Sequence, residues 1–273
     1  MKSVTLQLTV CVLSLACLNS AGVAAMPGSA RRSAAVERLL RTVADELAEP
    51  SDQTAIDELI SAFTTHGSLS GTDQAAWTVL TFDREGGLEA VQVNAAAVLA
   101  APPLIQRATI LHELEHLKQA RETRRLLQAG GGGRGASRLH HIVRVLVEDE
   151  CQAYRRDILY VADVVAAHGG LDRYLAARPP AEREPTQWYY AWHVEPFLAA
   201  SGALDERRLR RFIFLDTFPR RHPRHYTAAL MWEALQGHVE VRRGPDGLWR
   251  PARLRAPESF LAWLTPLASS SVP

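Results

Sequence analysis

A stretch with two histidines one helical turn apart constrains this chain more than any other feature. Residues 104–127 read LIQRATILHELEHLKQARETRRLL, with HELEH at positions 112–116. Apolar residues recur there at three- and four-residue steps, as in a helix that buries one face. Two prolines precede the stretch, and the next Gly or Pro is Gly130. The sequence therefore predicts one long helix.

The histidine spacing indicates a metal site. On a helix, His112 and His116 lie on one face, where both imidazoles can reach one tetrahedral ion, most often zinc. Glu113 is placed to take a proton from a metal-activated water. Because H-E-x-x-H fixes only three positions, it also occurs by chance, and histidines on a charged helix are often surface residues. The apolar or small residues 108–111 favour a partly buried site instead.

A catalytic zinc usually has three protein ligands and an open position. A third histidine at the H-x-x-G-x-x-H spacing is missing. The next predicted helix, residues 139–160, carries Glu148, Asp149 and Glu150. We favour Glu150 as the third ligand, because Tyr154 shares its face one turn later and Ala153 permits close approach of the two helices.

Several alternatives remain open from the sequence. Glu148 is the second choice as ligand, and the three acids can also form a solvated patch. His140 and His141 compete as ligands, although loop or supporting positions suit them better.

These residues resemble the zincin metallopeptidases, in particular the branch with a glutamate third ligand. The resemblance runs from the predicted strand at 91–94 to Asp157. It implies an edge strand over the substrate cleft, an active-site helix and a ligand-bearing helix. The family commonly has Asp four residues after the ligand Glu, where this chain has Tyr154. A residue that orients a zinc-bound histidine must therefore come from elsewhere, from Asp157 or Glu115.

The resulting expectation is a zinc-dependent metallopeptidase that hydrolyses a peptide or protein substrate. His112, His116 and Glu150 would hold Zn²⁺, and Glu113 would act as general base. Tyr154 is the preferred stabiliser of the oxyanion. The other candidates for that role are Tyr160, His225 and Tyr226. The alternative is a non-catalytic secreted protein, either a zinc-stabilised scaffold or a binding protein.

The first 25 residues have the features of a secretory signal peptide. Lys2 precedes an apolar segment at 4–18, and small residues follow at 20–25. We expect cleavage after Ala25 and a secreted or periplasmic location. A lipid anchor at Cys17 is less favoured, because Ser14 replaces the usual leucine of a lipobox. Cleavage would leave Cys151 as the one cysteine, so no intramolecular disulfide is expected.

Charge gives no indication of a polyanionic partner. The chain has 31 basic and 30 acidic residues, and Lys2 is the one charged residue of the predicted leader. Nucleic acid and anionic membranes are therefore not required as partners. No other long apolar run predicts a transmembrane segment. The arginines at 207–224 allow binding of an anionic ligand, although a solvated helix face is the simpler interpretation.

The predicted fold is mainly α with a small β element (α+β). Residues 77–82 and 88–94 read as two strands of a hairpin around Gly86 and Gly87. We expect a zincin-like catalytic core with this edge hairpin at 26–165, followed by a mostly helical C-terminal region at 166–273. The glycine-rich residues 130–135 would form a linker or, alternatively, a lid.

Overall fold

The computed structural model describes residues 29–47, 49–66, 68–69, 78–82, 87–129, 136–245 and 247–255. Most of them are helical and a minority form two small sheets, which confirms the mainly α class with a small β element. The predicted signal peptide and the glycine-rich segment at 130–135 lie outside the described residues.

The described part of the chain contains ten α-helices, and the two predicted at 104–127 and 139–160 are both present. They are α1 (Ser29–Glu46), α2 (Pro50–His66), α3 (Ala95–Ala100), α4 (Pro103–Ala129), α5 (Ala136–Ala167), α6 (Leu171–Ala176), α7 (Pro180–His193), α8 (Glu206–Phe212), α9 (Phe218–Arg221) and α10 (Pro223–Leu235). A π-helical turn, Ile213–Thr217, joins α8 to α9.

Five short strands complete the described elements. They are β1 (Ser68–Leu69), β2 (Thr78–Phe82), β3 (Leu88–Val93), β4 (Val239–Arg243) and β5 (Trp249–Leu254). The expected antiparallel pairing of β2 with β3 is present. The resemblance, however, made β3 an edge strand, and this is wrong: β1 pairs with its other side in parallel, which makes β3 the central strand.

The chain forms two compact units, each built from two stretches. The first comprises Met1–Arg121 and Ala153–Leu204, and the second Glu122–Gln152 and Asp205–Pro273. Both α4 and α5 pass from one unit to the other without a break. This grouping differs from the division at residue 165 that the sequence suggested.

The first unit has a core of aliphatic side chains. The apolar faces of α1, α2 and α4 and the inward side chains of β3 are buried. Asp52 is also buried, and its carboxylate accepts hydrogen bonds from Lys118 on α4 and Arg156 on α5. This ion-pair cluster links three helices and keeps a buried carboxylate paired, as burial of a charge requires.

The second unit has an aromatic core. Phe214, Phe218 and Tyr226 are buried and in mutual ring contact, on the π-helical turn, α9 and α10. The antiparallel pair of β4 and β5 follows α10. Among the described helices of the whole chain, none is both long and apolar enough to cross a membrane.

Candidate metal centre

The HELEH segment lies in the interior of α4. His112, Glu113 and His116 are 0%, 2% and 1% exposed, so the alternative of surface histidines is excluded. The Nε2 atoms of His112 and His116 lie 3.3 Å apart. The helix thus points both imidazoles at one location, as their spacing predicted.

Asp157 fixes the orientation of His112. The Nδ1–H of His112 donates to Oδ2 of Asp157 over 3.0 Å, and both side chains are buried. With its proton on Nδ1, His112 presents the lone pair of Nε2. Tyr154 contacts the same imidazole edge-on, with 4.9 Å between ring centroids. Of the two orienting residues considered from the sequence, Asp157 is the one that has this hydrogen bond to His112.

Glu150 completes a potential ligand set. Its carboxylate is buried. One carboxylate oxygen of Glu150, one ring nitrogen of His112 and one ring nitrogen of His116 all lie within 4.8 Å of one another. Because α5 is continuous, Glu150 is held one turn before Tyr154, whose ring contacts His112. These three side chains could hold a metal ion.

The neighbouring acids have other partners. The guanidinium of Arg210 donates to both oxygens of Glu148, at 2.7 and 3.0 Å. Asp149 accepts a hydrogen bond of 3.0 Å from the buried hydroxyl of Thr123. The expectation that the arginines at 207–224 form a solvated face is therefore wrong for Arg210, which is buried. A solvated patch of the three acids is also wrong, since Asp149 and Glu150 are buried.

The competing histidines have partners away from the ligand group. His141 donates from Nε2 to the backbone carbonyl of Leu126 over 2.6 Å. His140 lies 3.7 Å from the carboxylate of Glu233. Neither histidine belongs to the group of potential ligands that the described residues form.

Glu115, the other residue considered for orienting a ligand, is engaged elsewhere on α4. Its carboxylate accepts a hydrogen bond from Gln119 and lies 3.6 Å from the ammonium of Lys118.

The remaining oxyanion candidates have different surroundings. Tyr160 is partly buried, which raises its pKa, and the guanidinium of Arg107 opposes that shift. His225 and Tyr226 lie on α10 of the second unit, and burial lowers the pKa of the first and raises the pKa of the second. Of the four candidates, Tyr154 is the one with a contact to a histidine of the ligand group.

The sequence did not single out Tyr189, a buried tyrosine of α7 that is near enough to Asp157 to feel its charge. Burial raises the pKa of the Tyr189 phenol, and the negative charge of Asp157 contributes further to that rise. The aromatic run that begins at residue 188 was the available signal, but nothing in it indicates which helix it packs against. No family model, curated protein or solved structure matches this chain, so its function has to be inferred from the geometry of the site.

Proposed function

We propose that this chain is a zinc-dependent metallopeptidase in which His112, His116 and Glu150 hold the ion and Glu113 is the general base. The observation that carries this proposal is the buried group of two imidazoles and one carboxylate, with a second carboxylate beside it on α4. Three ligands are typical of a catalytic zinc site, whereas a closed structural site has four.

The donor geometry fits zinc. Tetrahedral bonds of about 2.0–2.1 Å place two ligand nitrogens about 3.3 Å apart. The Nε2 atoms of His112 and His116 are separated by 3.3 Å. Imidazole nitrogen and carboxylate oxygen are also ligands that zinc accepts readily, and the bond from His112 to Asp157 is the usual support of such a ligand.

Glu113, Asp157 and Tyr154 have separate roles in the proposed reaction. A bound zinc ion supplies a Lewis acid and lowers the pKa of a bound water to about 7. The Glu113 carboxylate accepts a proton from the attacking water and delivers it to the leaving nitrogen. Asp157 holds the His112 ring in its tautomer. Tyr154, packed against that ring, is the candidate hydrogen-bond donor to the developing oxyanion.

The test compares matched carboxylates on α4. Glu113→Gln should retain zinc, measured by elemental analysis, and lose at least about a hundredfold in the rate of hydrolysis of a fluorogenic peptide library. Glu115→Gln is the control, since its carboxylate is bonded to Gln119 and Lys118, and it should retain both properties. Peptidase activity of Glu113→Gln close to that of the wild type would contradict the role of the base.

A second matched pair tests the third ligand. Glu150→Gln should weaken zinc binding strongly, whereas Glu148→Gln should retain zinc, because Glu148 is bonded to Arg210. Loss of zinc in Glu148→Gln alone would transfer the ligand role to that residue. If wild-type protein binds zinc with these ligands but hydrolyses no peptide, the zinc-stabilised scaffold is the better description.

A further inference from the structure

An apolar pocket opens beside Glu113 in the first unit. The empty space in and in front of it is about 420 Å³, part of which is open solvent, and every lining residue belongs to that unit. Eight of its eleven lining residues are Val, Leu or Ile, contributed by α1, α2, β3, α3 and α4. The pocket therefore favours an uncharged group over a charged one, since burial of an unpaired charge is costly.

The polar side chains in the lining are mostly satisfied within the protein. The hydroxyl of Thr109 donates to the backbone carbonyl of Ile105 over 2.9 Å. The amide of Gln106 donates to the carbonyl of Val98 over 3.0 Å. Glu113 is the one ionisable residue among the described residues that line the pocket. The aliphatic side chains and the single carboxylate of Glu113 therefore determine which groups the pocket can bind.

The position of Glu113 relates the pocket to the reaction. Gln106, Thr109, Ile110 and Glu113 recur at three- and four-residue steps, so they form one stripe along α4. A general base has to lie within about 3 Å of the proton that it abstracts. If a peptide bond is held for attack near Glu113, the side chain of a substrate residue adjoining that bond therefore lies against this stripe of α4.

The N-terminal helix forms one wall of the pocket. Val36, Leu39 and Leu40 of α1 line it, and Leu39 is only half-buried. At the far end of α1, both carboxylate oxygens of Glu46 accept hydrogen bonds from the guanidinium of Arg107 on α4, at 2.5 and 2.6 Å. The wall is thus attached to the helix that carries the proposed base.

We infer that this pocket binds an uncharged aliphatic side chain of the substrate. The side chain belongs to a residue adjoining the bond to be hydrolysed, and Leu39 limits the size of the side chain that the pocket accepts. This inference rests on the proposed peptidase function. A hydrophobic pocket discriminates by about 10- to 200-fold per methylene group. Peptides with Leu beside the cleaved bond should therefore exceed their Ala counterparts at least tenfold in kcat/KM, and those with Asp or Lys should be poorer still.

The experiment varies the pocket and the peptide together. Leu39→Trp should reduce kcat/KM for the Leu peptide at least tenfold while it leaves the Ala peptide within about threefold. Leu39→Ala should shift the preference towards Phe, and it serves also if the Trp variant does not fold. Leu235→Trp is the matched control, because Leu235 is 81% exposed on α10, and it should keep the wild-type preference.

A binding measurement separates the two proposals. N-acetyl-leucinamide should perturb NMR signals of pocket residues in the metal-free wild type, and this effect should disappear in Leu39→Trp. If that holds but no peptide is hydrolysed, the pocket stands and the peptidase proposal fails. If peptides are hydrolysed without a preference for Leu, with a preference for Lys, or with no effect of Leu39→Trp, the inference about the pocket is wrong.

Discussion

Replacing Asp157 by Asn should weaken zinc binding without removing a ligand. The carboxylate accepts the Nδ1–H of His112 over 3.0 Å in a site where both side chains are buried. Asn keeps the size of the side chain but removes its negative charge, so the imidazole becomes a poorer donor to a cation. Loss of such a supporting contact typically weakens metal affinity by 10- to 100-fold, or about 1.4–2.8 kcal/mol.

The loss of zinc affinity should also reduce the stabilisation that zinc gives against thermal unfolding. An ion that binds only the folded state adds RT ln(1 + [L]/Kd) to its stability, so at equal excess zinc the variant gains about 1.4–2.8 kcal/mol less than the wild type. For a chain of this size, each kcal/mol shifts Tm by roughly 2–4 °C. The zinc-dependent rise in Tm should therefore be smaller by roughly 3–11 °C in Asp157→Asn.

The assay compares Tm with excess zinc and with chelator, and determines Kd separately by chelator competition. The difference between the two Tm values removes any effect of the substitution on the metal-free protein. Asp163→Asn is the control, since Asp163 is an exposed aspartate on the same helix. An equal zinc-dependent rise in Tm for Asp157→Asn and the wild type would refute the idea that His112, oriented by Asp157, binds the ion.

Two further predictions concern stability. Arg210→Met should cost roughly 3 kcal/mol in urea unfolding, because the largely buried Glu148 carboxylate loses both hydrogen bonds from the guanidinium and keeps the one from the Gln152 amide. Arg125→Met should have a much smaller effect, since its pair with Glu122 is exposed, and equal effects of the two substitutions would contradict this. Burial lowers the pKa of His193 from 6.5 to about 4. As pH falls, His193 therefore takes up a proton in the unfolded chain before it does so in the folded protein. The free energy of unfolding should fall by about 3 kcal/mol between pH 6.5 and pH 4 for this reason. His193→Phe should lose less stability between pH 7 and pH 4.5 than the wild type, as measured by urea unfolding, and an equal loss would rule out His193 as the source.

Local pattern was sufficient for the helices that carry the site. The apolar spacing of residues 104–127 predicted α4, which spans Pro103–Ala129. Local pattern is less informative for α7, because the prolines at 179 and 180 are equally compatible with a break between helices. The helix begins at Pro180, because proline suits the first turn of a helix as well as it ends the preceding one. Which role applies depends on what the following residues pack against.

The different surroundings of Glu148 and Glu150 could not be predicted from local sequence pattern. Both are acids on one predicted helix, two residues apart, and the sequence favoured Glu150 without indicating what either carboxylate contacts. In the structure Arg210 pairs with Glu148, while Glu150 joins His112 in the ligand group. The partner of Glu148 thus lies 62 positions away along the chain, beyond the reach of local pattern.

The sequence by itself determined the helical character of the chain, the facing histidines and the carboxylate beside them, because residues one turn apart share a face whatever surrounds the helix. Only the tertiary structure decided that Asp157, 45 positions from His112, orients that ring, that β3 is a central strand, and that α1 helps to line a pocket beside Glu113. Such contacts join residues far apart in the chain, and they depend on which faces are buried against each other. Helical periodicity says that a face is buried, but not which face of another element covers it.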